Sequence, residues 1–173
     1  MNLTPAELTI LGLVVEQARH GYDLEQVIEQ RGIRQWTDIG FSSIYYLLGK
    51  LQTRGLIHPE EDAASSKSRR VFHATDEGRR ASAEATLTFI SNAQAVPHPL
   101  LVGLSNMSLL SAEELNAALT QRLRQIETRL ESLKAAKESQ SPLPAPAREV
   151  FSYSLNLLEA ERSWLTTRVR VQG

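Results

Sequence analysis

Leu8, Leu11, Val14, Val15 and Ala18 return every three or four residues, the period of a helix with one buried side. Thr4-Pro5-Ala6-Glu7 precedes them and combines a hydroxyl N-cap, a proline at the first helical position and a glutamate three residues after the cap. The first helix is therefore predicted to run to about Arg19, with Gly21 as its left-handed C-terminal residue. A second, short helix covers Tyr22 to Gln30, with Leu24, Val27 and Ile28 on one side and Gly32 at its end. Trp36, Ile39 and Phe41 lead into a third, Ser42 to Arg54, where Ile44, Leu47, Leu48 and Leu51 share one stripe and Gly55 stops the helix. Leu56 to His58 and Arg70 to Ala74 read as two brief strands. The stretch Pro59 to Arg69 between them contains no apolar residue larger than alanine and predicts a long solvated hairpin tip. Thr75, followed by Asp76 and Glu77, caps a fourth helix that runs to about Ala95.

From Val96 the pattern changes. Pro97 and Pro99 break the fourth helix, a leucine-rich bridge follows, and Ser111-Ala112-Glu113-Glu114 supplies a second capping box. Leu119, Leu123, Ile126, Leu130 and Leu133 then repeat at alternating intervals of four and three, a heptad seam that needs a partner helix. Ser139 to Ala147, with Pro142, Pro144 and Pro146, predicts a turn. A last helix presents Phe151, Leu155, Leu158, Leu165 and Val169, with Arg162 interrupting the seam. Two long antiparallel helices do not by themselves cover a wide apolar face, so a second copy of the chain is the expected cover. The dimerisation set is Leu119, Leu123, Ile126, Leu130, Leu133, Phe151, Leu155, Leu158, Trp164 and Leu165.

Helix, helix, helix, strand, loop, strand is the order of a winged helix-turn-helix. The predicted fold is mainly α: residues 1–95 form a winged helix-turn-helix DNA-binding domain with a small β-hairpin wing and a linking helix, and residues 96–173 form an antiparallel helical dimerisation domain.

Charge does not strengthen that reading. The 173 residues carry 19 Lys and Arg against 20 Asp and Glu, and the balance is −1 over residues 1–80 and zero over the rest. Any anion-binding surface must be a local patch. The outward side of the third helix offers one, with Ser42, Tyr46, Gly49, Lys50 and Thr53 and no acidic residue between Gly40 and Leu51. Such a face fits the major groove, where lysine reaches phosphate or guanine and hydroxyls reach phosphate or base edges. An ordinary exposed helix has the same composition, and Ser42 also serves as an N-cap candidate. The hairpin tip adds Lys67, Arg69 and Arg70 beside Ser65, Ser66 and Ser68, cations suited to backbone contact through counterion release, although Glu60, Glu61 and Asp62 oppose them. Arg79 and Arg80 offer further phosphate contacts.

Enzymatic constellations are missing. Cysteine is absent, His20, His58, His73 and His98 lack metal-ligand spacing, and neither a phosphate-cradling glycine loop nor a nucleophile elbow occurs. No catalytic residue, metal or cofactor is predicted. Trp36, Phe151, Tyr153 and Trp164 are assigned to packing by default, with a planar ligand in a cleft as the alternative. No run is long enough to span a membrane and no signal peptide opens the chain, so a cytoplasmic location is expected.

Gly40-Phe41-Ser42-Ser43-Ile44-Tyr45-Tyr46-Leu47-Leu48, followed by Leu51 and Arg54-Gly55-Leu56-Ile57, resembles the PadR family of bacterial transcriptional regulators. His20-Gly21-Tyr22 and Phe72-His73-Ala74-Thr75-Asp76-Glu77-Gly78-Arg79 belong to the same resemblance, which covers residues 3–90; Glu159 to Leu165 resembles part of the family's helical C-terminal domain. The chain departs from the family pattern at Phe72, Ala74 and Tyr46, where tyrosine, leucine and proline are usual. The resemblance implies a homodimeric repressor that binds an inverted-repeat operator and is released by a small, often aromatic, effector. It also implies that Ser43, Tyr45 and Lys50 lie near DNA. The expected DNA-binding set is Ser42, Ser43, Tyr45, Tyr46, Lys50, Thr53, Lys67, Arg69 and Arg70, and the expected partners are double-stranded DNA, a second copy and that effector. A winged-helix protein-docking module on a coiled-coil scaffold is the alternative.

Overall fold

The computed structural model describes residues 2–60, 70–93 and 95–171, the side chains of 41, 170 and 171 apart. It divides into two compact units, residues 1–95 and 96–173. The first contains α1 (Pro5–Glu16), β1 (Arg19–His20), α2 (Gly21–Gln30), a 3-10 turn (Ile33–Gln35), α3 (Phe41–Thr53), β2 (Ile57–Pro59), β3 (Val71–Ala74) and α4 (Asp76–Ser91). Ile10, Leu11, Leu24, Ile28, Ile44, Leu48, Leu51, Leu56 and Ile57 make its core and are almost wholly buried.

The capping box forms as predicted: the Glu7 amide donates to Thr4 Oγ1 at 3.2 Å and the Thr4 amide to Glu7 Oε2 at 2.7 Å. The helix is shorter than its periodicity predicts. Gln17 is extended, and Arg19 and His20 pair antiparallel with Phe72 and Val71 of β3, making a three-stranded sheet in the order β1-β3-β2. A strand thus precedes α2, where the sequence reading places none. Two residues cannot display alternation; the free edge of β3 decides their conformation. Arg79 Nη1 donates to the Val15 carbonyl at 3.3 Å, and Arg19 Nε donates at 3.4 Å to the Leu13 carbonyl that also accepts the Gln17 amide, so cations gather on the carbonyls at the end of α1.

Gly21 is not the left-handed cap of α1. It opens α2, and a Cβ there would stand 2.6 Å from Cε1 of Tyr45, so the position needs glycine for close approach. Gly55, by contrast, does take φ of +69° and turns the chain from α3 into β2.

The linking helix α4 is fixed to the end of α3 through Thr75. Its hydroxyl donates to the Gly55 carbonyl at 2.8 Å and accepts from the Gly78 amide at 3.0 Å, while its own amide donates to the Leu56 carbonyl at 3.0 Å. Gly78 packs so tightly on that same carbonyl that a Cβ would lie 2.0 Å from the oxygen.

The second unit contains α5 (Pro99–Ser105), a 3-10 turn (Met107–Leu109), α6 (Ala112–Ser139) and α7 (Ala145–Val171). Ser111 and Glu114 close the expected capping box. The proline-rich turn is tighter than predicted, because Pro146 lies in the first turn of α7, where no intrahelical donor is lost. The heptad seam finds its partner within the chain: Leu119, Ile126, Leu130 and Leu165 are buried together, flanked by Leu115, Leu123, Leu155, Leu158, Trp164 and Val169. Arg122 to Glu161 at 2.6 Å and Lys134 to Glu159 at 3.2 Å bridge the two helices. Phe151 is buried and Leu133 half-buried. Packing does not extend to all the aromatics: Trp36 and Tyr153 are 53% and 69% exposed, against the assignment made for them from sequence. The Arg168 guanidinium lies 3.8 Å over the half-buried Trp164 ring.

Candidate nucleic-acid interface

Helix α3 divides by side as its sequence predicts. Ile44, Leu47, Leu48 and Leu51 are buried, whereas Ser42, Tyr45, Tyr46, Gly49, Lys50 and Thr53 reach the surface and Ser43 is half-buried. Its N-cap is Gly40, with no side-chain bond, so Ser42 and Ser43 are not caps but fill the first turn. Their hydroxyls therefore stand at the positive end of the helix. Tyr46 is 69% exposed. Tyr45 is partly covered, its ring against Gly21. The Thr53 hydroxyl donates to the Gly49 carbonyl at 2.9 Å and keeps its lone pairs for an incoming donor.

Lys50 is not a free cation. Its Nζ lies 2.9 Å from Oε1 of Glu7, and Nη1 of Arg54 lies 3.0 Å from the same oxygen. Arg54 also donates to the Asn2 carbonyl at 3.2 Å. Glu7 is 1% exposed. Burial alone pushes its carboxyl up, but the Thr4 amide, the Lys50 ammonium and the Arg54 guanidinium together outweigh that and hold its pKa at about 2. The two positive charges of α3 thus share one buried anion on α1. Sequence reading missed Glu7 because attention to α3 alone cannot see a partner more than forty residues away. A signal exists nonetheless: Leu3, Glu7, Ile10, Leu11 and Val14 continue one inward stripe, so a carboxylate interrupts an apolar face.

Behind α3, Arg34 holds the turn from α2 in place, pairing with Glu25 and Glu29 and donating to the Ile39 carbonyl at 3.1 Å. Beside it, β2 and β3 form the base of the wing. His58 and His73 face each other in register, their rings stacked at 5.5 Å. Arg70 is half-buried just before β3. Lys67 and Arg69, with Ser65, Ser66 and Ser68, lie outside the described residues. Arg79 and Arg80 both have partners, the first on the Val15 carbonyl and the second on Glu77 at 2.7 Å. Among the described residues no group of three or more histidine, cysteine or acidic side chains is placed to hold a metal ion, and no helix is long and apolar enough to cross a membrane.

This arrangement, three helices backed by a small antiparallel sheet with a hydroxyl-bearing third helix at the surface, is a winged-helix fold. Residues 10–84 match the model of the transcriptional regulator PadR-like family. No curated protein matches the sequence. Among solved structures, Bacillus subtilis PadR in complex with operator DNA is 21% identical, covering 98% of this chain and all of that one with a TM-score of 0.78. The same protein in complex with p-coumaric acid is 20% identical over 99% of this chain and 98% of that one, with a TM-score of 0.78. The Vibrio cholerae virulence activator AphA is 18% identical over 95% of each chain, with a TM-score of 0.71. These likenesses establish the fold over nearly the whole chain.

Proposed function

We propose that this protein is a PadR-like transcriptional regulator that binds double-stranded DNA in the cytoplasm as a homodimer on an inverted-repeat operator and represses transcription. In this reading residues 1–95 are the DNA-binding domain and residues 96–173 the dimerisation domain. The observation that carries it is the exposed side of α3, whose hydroxyls and tyrosines sit on a rigid apolar backing within a PadR-like domain. Ser42, Ser43 and Tyr46 reach base edges or phosphates, Tyr45, Lys50 and Thr53 flank them, and Lys67, Arg69 and Arg70 of the wing touch the backbone. Two such helices enter successive major grooves roughly 34 Å apart.

Exposed Val150, Tyr153 and Leu157 on α7 give the dimer an apolar surface that the α6–α7 seam leaves uncovered. The Bacillus subtilis PadR complex with p-coumaric acid supports a small aromatic acid as the releasing effector. Selection of bound sequences from a random DNA pool, followed by mobility shift with competitor, tests the reading. An inverted repeat retained against competitor is the expected result; no retained sequence overturns it and favours a protein-docking module. Loss of the shift on adding an aromatic acid tests the effector.

A further inference from the structure

We propose that Glu7 is a positioning residue that restrains sequence-independent DNA binding by withdrawing one positive charge from α3. The inference rests on the DNA-binding reading above. Between Gly40 and Thr53 the helix carries no acidic residue, and Lys50 with Arg54 at its C-cap gives this segment two positive charges. Both end on a single oxygen of a carboxylate that is 1% exposed. Held at a pKa of about 2, Glu7 stays ionised throughout the neutral range, so the three groups together carry one positive charge rather than two.

Sequence-independent affinity comes from cations that exchange condensed counterions for phosphate. A lysine already compensated at 2.9 Å displaces fewer counterions, and detaching it would strand a desolvated carboxylate. Contact to base edges through hydroxyls does not depend on this charge. Glu7 thus weakens the hold on bulk DNA while leaving the hydroxyl readout in place. It also anchors the N-terminal end of α1 through the Thr4 amide, so one carboxylate joins helix capping to the charge of the binding face.

The test measures binding to random-sequence DNA and to the selected operator across a salt series, for the full chain as wild type, Glu7→Gln, Lys50→Met, the double variant and Thr4→Ala. Glutamine can still accept from the Thr4 amide. Glu7→Gln is expected to lower the melting temperature yet bind random DNA several-fold more tightly at about 50 mM salt, with the salt slope steeper by about one unit. The double variant returns to the wild-type slope, Lys50→Met falls about one unit below it, and Thr4→Ala loses stability without a change of slope. Should Glu7→Gln alone not fold, the double variant against Lys50→Met carries the same comparison, steeper by about one unit. Equal slopes in those two pairs, or weaker random-DNA binding by a folded Glu7→Gln, overturn the proposal while DNA binding itself stands. A wild type that binds no DNA overturns the functional reading and this inference with it.

Discussion

Glu7 carries charge for two purposes, and acid should separate them. Its carboxyl sits at about 2 when folded and near 4.5 when free, so its contribution to stability is complete above the free value and is lost as pH falls towards 2. At neutral pH that contribution amounts to at most about 3 kcal/mol. Thermal melts of wild type and Glu7→Gln should therefore differ most at pH 6–7, on the order of a few kcal/mol, and converge towards pH 2; a constant gap would exclude the linkage.

The glycines provide a second test at this scale. Gly78→Ala should cost about 3 kcal/mol or more, because the new methyl meets a backbone carbonyl that cannot move aside. Gly21→Ala should cost about 1–3 kcal/mol and also weaken DNA binding, since the ring it displaces belongs to Tyr45 on α3. Gly49→Ala, with nothing within 4 Å of its Cβ, should instead stabilise by about 0.5–1 kcal/mol. Denaturant midpoints for the three read the order directly. None of this was legible in the sequence, where Gly21 read as a helix terminator: a need for space and a need for positive φ select the same residue.

Elements were legible wherever the signal was local. Thr4 and Ser111 both cap with a glutamate three residues on, and both helices begin where those boxes place them. Gly32 and Gly55, which do have positive φ, stop α2 and α3 as predicted. The stripe of α3 fell on the correct side because four branched or leucine side chains leave one orientation with a buried face. What escaped was decided by tertiary pairing: β1 exists because β3 has a free edge, and the start of α3 moved from Ser42 to Phe41 because Gly40 already supplies the extended cap residue.

The heptad of α6 predicts a partner helix for Leu119, Leu123, Ile126, Leu130 and Leu133, of which all but Leu133 join the α6–α7 cluster, but periodicity does not say whose helix fills the groove. Within the chain that helix is α7. Ile126, 3% exposed at the middle of this seam, gives the measurable consequence: Ile126→Ala should lower unfolding free energy by about 2–5 kcal/mol. Hydrogen exchange should register the loss along α6 and α7.

For the whole molecule, the buried seam and the exposed apolar residues of α7 predict different outcomes. Tyr153 and Leu157 are 69% and 55% exposed, so, on the proposed homodimer, Tyr153→Glu with Leu157→Glu should leave helix content intact while shifting sedimentation from dimer to monomer. On the proposed inverted-repeat mode, the same double variant should lose most operator affinity, because each monomer then holds one half-site. Unchanged sedimentation would move the dimer surface elsewhere. Near-neutral net charge removes the simplest argument for a nucleic-acid partner and leaves only a local patch. Several cations are paired internally, as at Glu7, Glu16, Glu25 and Glu161, so the sum over the chain says little about which cations remain at a given surface.

Thr75 has a mechanical consequence. With its hydroxyl on the carbonyl of Gly55, its amide on that of Leu56, and no clearance for even a methyl at Gly78, the junction between α3 and α4 has little slack. On the proposed DNA-binding mode, a torque applied along α4 should therefore arrive at α3 as a tilt of the whole helix, as a key turns when its bow is turned.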